Sequence, residues 1–588
     1  MRLACIFLAV ACAASACCAA TLELQITPKM LGQDLQPASL RYQTSAGETF
    51  SVTRVSYFIS DIELQRDNGS WLSFSNSVEW LDFNANRDSI RLEQIPPGEF
   101  RTVRFLVGLN PGMNHGNISK IAPDSPLNPD MNNLYWGWQS NYIFMALEGL
   151  WRNSSGELDG WAYHLARDTN SVRITLAAAM DITNETKVQL DFDLASLLNA
   201  PRPLSFVKDG TSTHSRDGDP IASALVGNLP SAFHVSKITA LTDAQITAAH
   251  PKPLYLPEKF TPYQFQMSAM FPIPDLPHDN PLTVERVTLG KQLFFDKRLS
   301  INDMQSCADC HLPDKAFQDG RRTARGAEGA LGPRKTMPLF NLAWKQQFFW
   351  DGRASSLREQ VLIPIQNPIE MHQTLTNLVA KLAHVSGDYP ALFDKAFGSK
   401  DITAEKISLA LENYLLTLTS FDSKFDRVLS GREQFTPQEA KGFELFSTEY
   451  DPRRGQFGAD CFHCHGGPLF QSQGYANNGL DDIFTDPGRG KISGRDSDLG
   501  KFAVPSLRNV ALRAPYMHDG RFKTLDEVVE HYCTGVKRSM TLDPNIAKHP
   551  DGGVPLNAAD KQALVAFLKT LTDEKFLSPP ASGDYAKN

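Results

Sequence analysis

Two pentapeptides, Cys307-Ala308-Asp309-Cys310-His311 and Cys461-Phe462-His463-Cys464-His465, constrain this 588-residue chain more than any other feature. The pattern CxxCH sets two thiols where they can form thioethers to both vinyl groups of one haem, and it leaves the adjacent imidazole to take an axial face of the iron. A single copy could equally be half of a zinc site or a redox dithiol. No further CxxC pair exists to complete a tetrahedral zinc set, and an oxidising compartment would close bare dithiols into disulfides. Two covalent c-type haems are therefore expected, one on Cys307, Cys310 and His311, the other on Cys461, Cys464 and His465.

The flanks of the two motifs read as diverged copies of one unit. Gly290-Lys291-Gln292-Leu293-Phe294 precedes the first and Gly442-Phe443-Glu444-Leu445-Phe446 the second. Trp350-Asp351-Gly352-Arg353 is answered by His518-Asp519-Gly520-Arg521, and Leu357–Val361 by Leu525–Val529. Trp350 and His518 stand 168 residues apart, and the same step carries Pro364 to Tyr532. Tyr532 has a phenol oxygen that can bind iron, whereas Pro364 has no donor. Copies that fold alike would close the second haem on both faces and leave the first open to a small oxidant. Read without the repeat, Tyr532 is a half-buried aromatic on a helix Leu525–Tyr532, and Met540 is the reserve ligand.

These residues resemble the dihaem bacterial cytochrome c peroxidases, and within them the MauG/MbnH branch. The resemblance runs from roughly Pro281 to the chain end through Leu289–Asp296, Phe349–Arg353 and Pro515–Gly520. It implies mainly α dihaem cytochrome c domains, hydrogen peroxide as oxidant and a high-valent dihaem state. By it, Trp350 relays charge between the haems. Gln360 and Glu370 line the distal pocket of the first haem beside Pro364, with Glu370 handling the protons of O–O cleavage. Tyr532 matches a tyrosine ligand that replaces the methionine of ordinary peroxidases. Those peroxidases also carry a histidine that caps the first haem until reduction; Gly320–Pro338 contains none, which favours an enzyme that is always open. A calcium between the haems would take the Asn341 side chain and the backbone carbonyls of Arg513 and Pro515.

Met1-Arg2 and the apolar run Leu3–Ala20 read as a secretory signal, and export agrees with haem c chemistry and a periplasmic location. A weak lipobox at Ala14–Cys17 offers a lipid anchor on Cys17 as the alternative. Nine cysteines comprise Cys5, Cys12, Cys17 and Cys18 in the signal, four for haem, and Cys533, so no internal disulfide is expected. Net charge is −8 with no basic run, which argues against nucleic acid as a partner. The expected organisation is a signal at 1–20, a β domain at 21–249, a proline-rich linker at 250–281, a first cytochrome c domain at 282–435 carrying the peroxidatic haem, and a second at 436–588 carrying the electron-transfer haem. Short alternating runs such as Leu22–Ile26 and Val172–Leu176 make the N-terminal region an all-β, sandwich-like domain. In the C-terminal half, Thr436-Pro437-Gln438-Glu439 reads as a capping box, and Ile407, Leu411, Tyr414, Leu415 and Leu418 as one apolar helix face.

Six of the eight tryptophans, Trp71, Trp80, Trp136, Trp138, Trp151 and Trp161, fall in the N-terminal half. Tryptophans in that number usually build a core. Yet Tyr57–Leu64, Phe105–Leu109 and Trp136–Phe144 with Leu147-Glu148-Gly149 resemble the MbnP family, copper-associated proteins in which an MbnH-type enzyme oxidises a tryptophan to kynurenine. His164 matches one copper histidine of that family. At the other, Val78-Glu79-Trp80-Leu81-Asp82 has tryptophan where histidine belongs, so the known ligand triad is incomplete; His115, His214 and His234 are spare imidazoles.

The expected function is a dihaem peroxidase that oxidises protein tryptophan, in its own N-terminal domain or in another protein, with Trp80 or Trp138 as the target. Fusion would hold the two halves at an effective concentration of roughly millimolar. The alternatives are a peroxidase drawing electrons from a small cytochrome or cupredoxin, and a non-catalytic electron or copper carrier.

Overall fold

Strand alternation in the N-terminal half and helical periodicity in the C-terminal half produce two differently built regions. The computed structural model describes residues 20–577 apart from 86, 123–124, 137–140, 183–185, 241–254 and 385–387. The expected signal, the Cys17 anchor and Trp138 lie outside the described residues.

In the strand Ala20–Met30 every second residue is buried, so Leu22, Leu24 and Ile26 face one core. This strand pairs in parallel with Thr186–Asp193, Leu22 opposite Thr186, and antiparallel with Ser89–Ile95. Phe233–Ala240 extends the sheet on the far side of Thr186–Asp193. A larger sheet runs Val172–Ile182, Gly98–Val107, Arg54–Arg66, Asn141–Arg152, Leu158–Ala166, with Trp71–Asp82 paired to Arg54–Arg66. One core, holding Tyr57, Leu147 and Tyr163 of the larger sheet with Leu24 and Phe192 of the smaller, joins the two.

The larger sheet is buried on both faces along one of its inner strands. From Tyr142 to Trp151 every residue of the strand Asn141–Arg152 is buried, where a half-exposed antiparallel strand would alternate. Met145 and Leu147 enter the sandwich core. Phe58, Trp80, Phe144 and Ala146, from the opposite face, form a second cluster with Phe446, Phe462 and Phe470 of the C-terminal half. The β region is therefore docked through an apolar face on the second CxxCH unit. Gly160 marks the closest approach: a Cβ there would lie 1.8 Å from the Pro544 carbonyl oxygen.

The C-terminal half repeats one plan twice. Asn341 and Asn509, Phe349 and Met517, and Gly352 and Gly520 all adopt positive φ at the 168-residue step. Isolated bridges Phe348–Ala354 and Tyr516–Phe522 match, as do the side-chain caps by Ser356 and Thr524 of the helices Leu357–Gln366 and Leu525–Glu530. Gly290 and Gly442 each press a helix onto a neighbour, a Cβ falling 1.9 Å from Ala410 O and 2.0 Å from Ala563 O. Thr436 and Glu439 form the expected capping box, and Ile407, Leu411, Tyr414, Leu415 and Leu418 are buried together.

The proline-rich stretch departs from expectation where it is described. Residues 255–281 lack regular structure but pack on the first unit. Phe271 is fully buried, the Pro272 carbonyl accepts from the Trp344 indole at 2.8 Å, and Asn280 donates to Leu409 O. Prolines here remove backbone donors and so preclude a ladder, yet they leave apolar surface that the helices cover.

Candidate functional site

Both CxxCH motifs form single 3-10 turns, Cys307–Asp309 and Cys461–His463, which bring each cysteine pair to one side. No disulfide joins any of the four cysteines. His311 Nδ1 donates to the Phe317 carbonyl at 2.9 Å and His465 Nδ1 to the Phe470 carbonyl at 3.3 Å. These bonds fix each ring and leave Nε2 for a metal. Burial lowers the pKa of both imidazoles, that of His465 to about 4. Each is thus held in its neutral, ligating form.

Above the first motif lies a cavity of about 780 Å³. Cys307, Cys310 and His311 line it, and so do Gln360, Pro364 and Glu370. Pro364 stands within the helix Leu357–Gln366 and offers no ligand atom. Glu370 accepts a hydrogen bond from Asn367 at 2.8 Å, and burial raises its pKa. A carboxyl shifted upward by burial holds its proton more readily and can pass it to a group within reach.

Tyr532 occupies the matching place in the second unit, where the helix Leu525–Glu530 widens into a π turn, His531–Gly535. Such widening re-aims side chains and is frequent at functional sites. Its phenol oxygen accepts from Asn478 at 3.2 Å. Burial raises its pKa, and the nearby Cys464 and Cys461 thiols add to the effect. Cation binding would reverse that shift. Met540, the reserve ligand, is 50 % exposed.

Trp350 bridges the units. Its indole donates to Lys335 O at 2.9 Å and its own carbonyl accepts from Ala503 N at 2.8 Å. Lys335 N in turn donates to His518 O at 2.8 Å. Around this seam are buried cations: burial lowers Lys335 and Lys345 to about 8 and Arg513 to about 10, and repulsion from Arg513 adds to the shift of both lysines. Arg513 Nε and Nη1 are buried without a hydrogen-bond partner. Buried cations of this kind suit carboxylates, such as haem propionates. Thiols, oriented imidazoles, cavity and cations together fit two haems.

The calcium set fits less well. Asn341 is fully engaged with Ser420, its oxygen accepting from Ser420 N at 2.8 Å and its amide donating to Ser420 O at 3.0 Å. Arg513, one of the proposed carbonyl donors, carries a buried guanidinium directed at the Ser506 carbonyl, and that charge works against a divalent cation.

His164 projects from the docked face of the larger sheet and is 2 % exposed. Its Nε2 lies 2.9 Å from Glu148 Oε1. Burial lowers it to about 3. His115 is instead an exposed partner of Asp168, and His234 is exposed on the edge strand. The sequence reading missed the residue that joins His164 and His214, namely His463, the second variable position of CxxCH.

A family model described as di-haem cytochrome c peroxidase matches residues 284–434, and an MbnP model matches residues 19–215. The methylamine utilization protein MauG of Methylophilus methylotrophus is 36% identical over 298 residues, 50% of this chain and 84% of that protein. MauG of Methylorubrum extorquens is 38% identical over 302 residues, 51% and 81% respectively. The cytochrome c551 peroxidase of Nitrosomonas europaea is 32% identical over 328 residues, 54% and 90%. Among solved structures, a MauG-like protein associated with microbial copper homeostasis is 34% identical, with a TM-score of 0.49, over 55% of this chain and 99% of that one.

Proposed function

Since this chain belongs to the di-haem cytochrome c peroxidase family and is an oxidoreductase, we propose that it uses hydrogen peroxide to oxidise a tryptophan of its own N-terminal half, Trp136 foremost. The bound haems supply the electron storage and the peroxide-binding iron. Glu370 moves the peroxide proton, Gln360 shapes the same pocket, Pro364 keeps the first site open, Tyr532 holds the second iron, and Trp350 connects the two units.

One observation carries the choice of substrate. Between the second CxxCH motif and the β region runs a chain of touching rings. The His463 ring lies 5.0 Å from that of His214, and Phe462 lies 5.9 Å from it. His214 lies 5.3 Å from Trp136. The residues just before this motif, Gln456–Asp460, include no tryptophan that could export a hole, and the direct ring contact removes the need for one. Trp80 sits in the same cluster, but the Arg87 guanidinium lies 4.9 Å above its ring. Trp71 has Arg104 at 3.8 Å. A cation on the face of an indole disfavours its oxidation, because the oxidised ring is itself positive. No such cation is recorded at Trp136 among the described residues.

The balance is simple. Each peroxide takes two electrons and two protons to give two waters. Two peroxides can thus place two oxygen atoms on the indole, opening it to N-formylkynurenine with release of two waters. Peptide mass mapping after peroxide treatment of the dihaem protein tests this. Expected is a gain of two oxygens, or kynurenine, on the Trp136 peptide and its absence in Glu370→Gln. Unmodified N-terminal tryptophans alongside rapid oxidation of an added small cytochrome would assign the chain to plain peroxide reduction instead.

A further inference from the structure

We infer that His164, His214 and His463 form a metal site across the interface between the β region and the second haem unit, built for a soft monovalent cation, Cu(I). No one region contains it. His164 ends a cross-strand row on the docked sheet face, opposite Ala146; His214 follows the short strand Ser212–Thr213; His463 lies inside the haem-attachment turn Cys461–His463.

The geometry is that of three imidazoles around one point. Ring centroids are 5.2 Å apart for His164 and His214, 5.4 Å for His164 and His463, and 5.0 Å for His214 and His463. One cation ~2.0 Å from a nitrogen of each ring would set the centroids roughly 5 Å apart. Ligand nitrogens of the three rings all lie within 4.8 Å of one another. His164 Nδ1 and His214 Nε2 are buried and have no hydrogen-bond partner. An orphaned nitrogen on a buried ring is costly unless something binds it.

Each ring is also braced from behind by a carboxylate. Glu148 hydrogen-bonds His164 Nε2 at 2.9 Å, whereas Glu449 against His214 Nδ1 and Asp460 Oδ1, 3.0 Å from His463 Nε2, are close charge contacts without hydrogen-bond geometry. Carboxylate–histidine pairs of this kind orient ligands and raise their basicity in metal sites. Two cations serve the same carboxylates, Arg54 on Glu148 and Lys548 on Glu449 and Asp460. Three carboxylates against two cations leave one negative charge around three neutral rings, which a monovalent ion neutralises. Imidazole nitrogens take copper and zinc alike, so it is the single negative charge that favours the monovalent ion, Cu(I). The adjoining group Glu449, Asp460 and His463 is no rival, because the Lys548 ammonium sits there, 2.8 and 2.9 Å from the two carboxylates and 3.4 Å from His463 Nε2.

The test uses the full chain with both haems attached and reduced, so that ferric iron cannot oxidise the probe. Cu(I) is titrated anaerobically against a chromophoric chelator. Expected is one equivalent per chain, weakened in His214→Ala and in His463→Ala by more than the ~10–100-fold that loss of an outer partner costs, and unchanged in His115→Ala. Equal uptake in all four proteins, or none in the parent, overturns the site. Retention of Zn(II) but not Cu(I) under the same competition overturns the monovalent assignment. Should either variant lose haem, X-ray absorption on the copper-loaded parent decides: a shell of nitrogen alone supports the site, and a sulfur shell refutes it.

Discussion

At matched positions of the two haem-binding units, one helix carries Pro364 in regular α geometry and the other carries Tyr532 in a π turn. The surrounding frame is shared down to caps, bridges and left-handed residues. A difference confined to one side chain on a common frame is a difference of role. The first unit keeps a cavity beside Glu370; the second places the Tyr532 phenol at the matching position and is covered by the β region through a shared apolar cluster. Access for a small oxidant and contact with a protein donor are thereby assigned to opposite units.

The sharpest way to break this contrast is Tyr532→Phe. Electron paramagnetic resonance of the ferric protein should show one high-spin and one low-spin haem, and the variant should convert the low-spin signal completely. A low-spin signal that survives would mean that the second iron takes its ligand elsewhere. The next largest effect is expected at the open unit. Glu370→Gln should slow peroxide turnover by ~10²–10⁴-fold while both haems remain attached. Since burial raises the Glu370 pKa, the parent rate should climb as pH rises through a value above the ordinary carboxylate range, and the variant should lose that limb. Stability runs the other way: this carboxyl's contribution is complete below its unfolded pKa and is lost as pH rises through the raised one. Turnover of the variant within about an order of magnitude of the parent would remove Glu370 from proton transfer.

A smaller effect probes the shared frame itself. Gly290→Ala and Gly442→Ala each put a Cβ within about 2 Å of a carbonyl oxygen on the neighbouring helix. Each should cost ~1–3 kcal/mol, as overpacking does, and lower the thermal midpoint comparably. Loss in one copy alone would show that the units are packed on different plans.

The repeat was legible because its fixed points demand particular residues. Positive φ favours Gly and Asn at 341, 352, 509 and 520, and N-caps favour Ser and Thr at 356 and 524. Pro364 against Tyr532 then followed from counting. The interdomain histidines were not legible. His164, His214 and His463 are far apart in sequence, and His463 looked like filler inside a motif whose chemistry was already explained. Only docking of the sheet's second face joins them, and the unbroken apolar run Tyr142–Leu147, buried in the structure, is the trace it leaves in the sequence. The proline-rich stretch misled for a related reason: absence of periodicity signals absence of regular structure, not absence of packing.

The smallest expected effect in energy bears on how the units communicate. Trp350 answers His518 in register, yet the two are not equivalent in contact. The Trp350 indole donates to Lys335 O and its carbonyl accepts from Ala503 N, so the residue is clamped by one unit on each side. His518 is stacked on Phe502 at 3.7 Å. Trp350→Phe keeps the backbone bond and an aromatic ring and removes one indole donor, which should cost only ~0.5–1.5 kcal/mol. A structural role would end there. A relay role predicts more, because phenylalanine is much harder to oxidise than tryptophan and cannot carry a hole across the same gap. In the parent, adding peroxide to the diferric protein should alter the absorption of both haems together; in Trp350→Phe the change should stay with the first haem, and oxidation of Trp136 should fall with it. If both haems still respond together, charge crosses the seam by another route, and the side chain at 350 serves only to hold Lys335 in place.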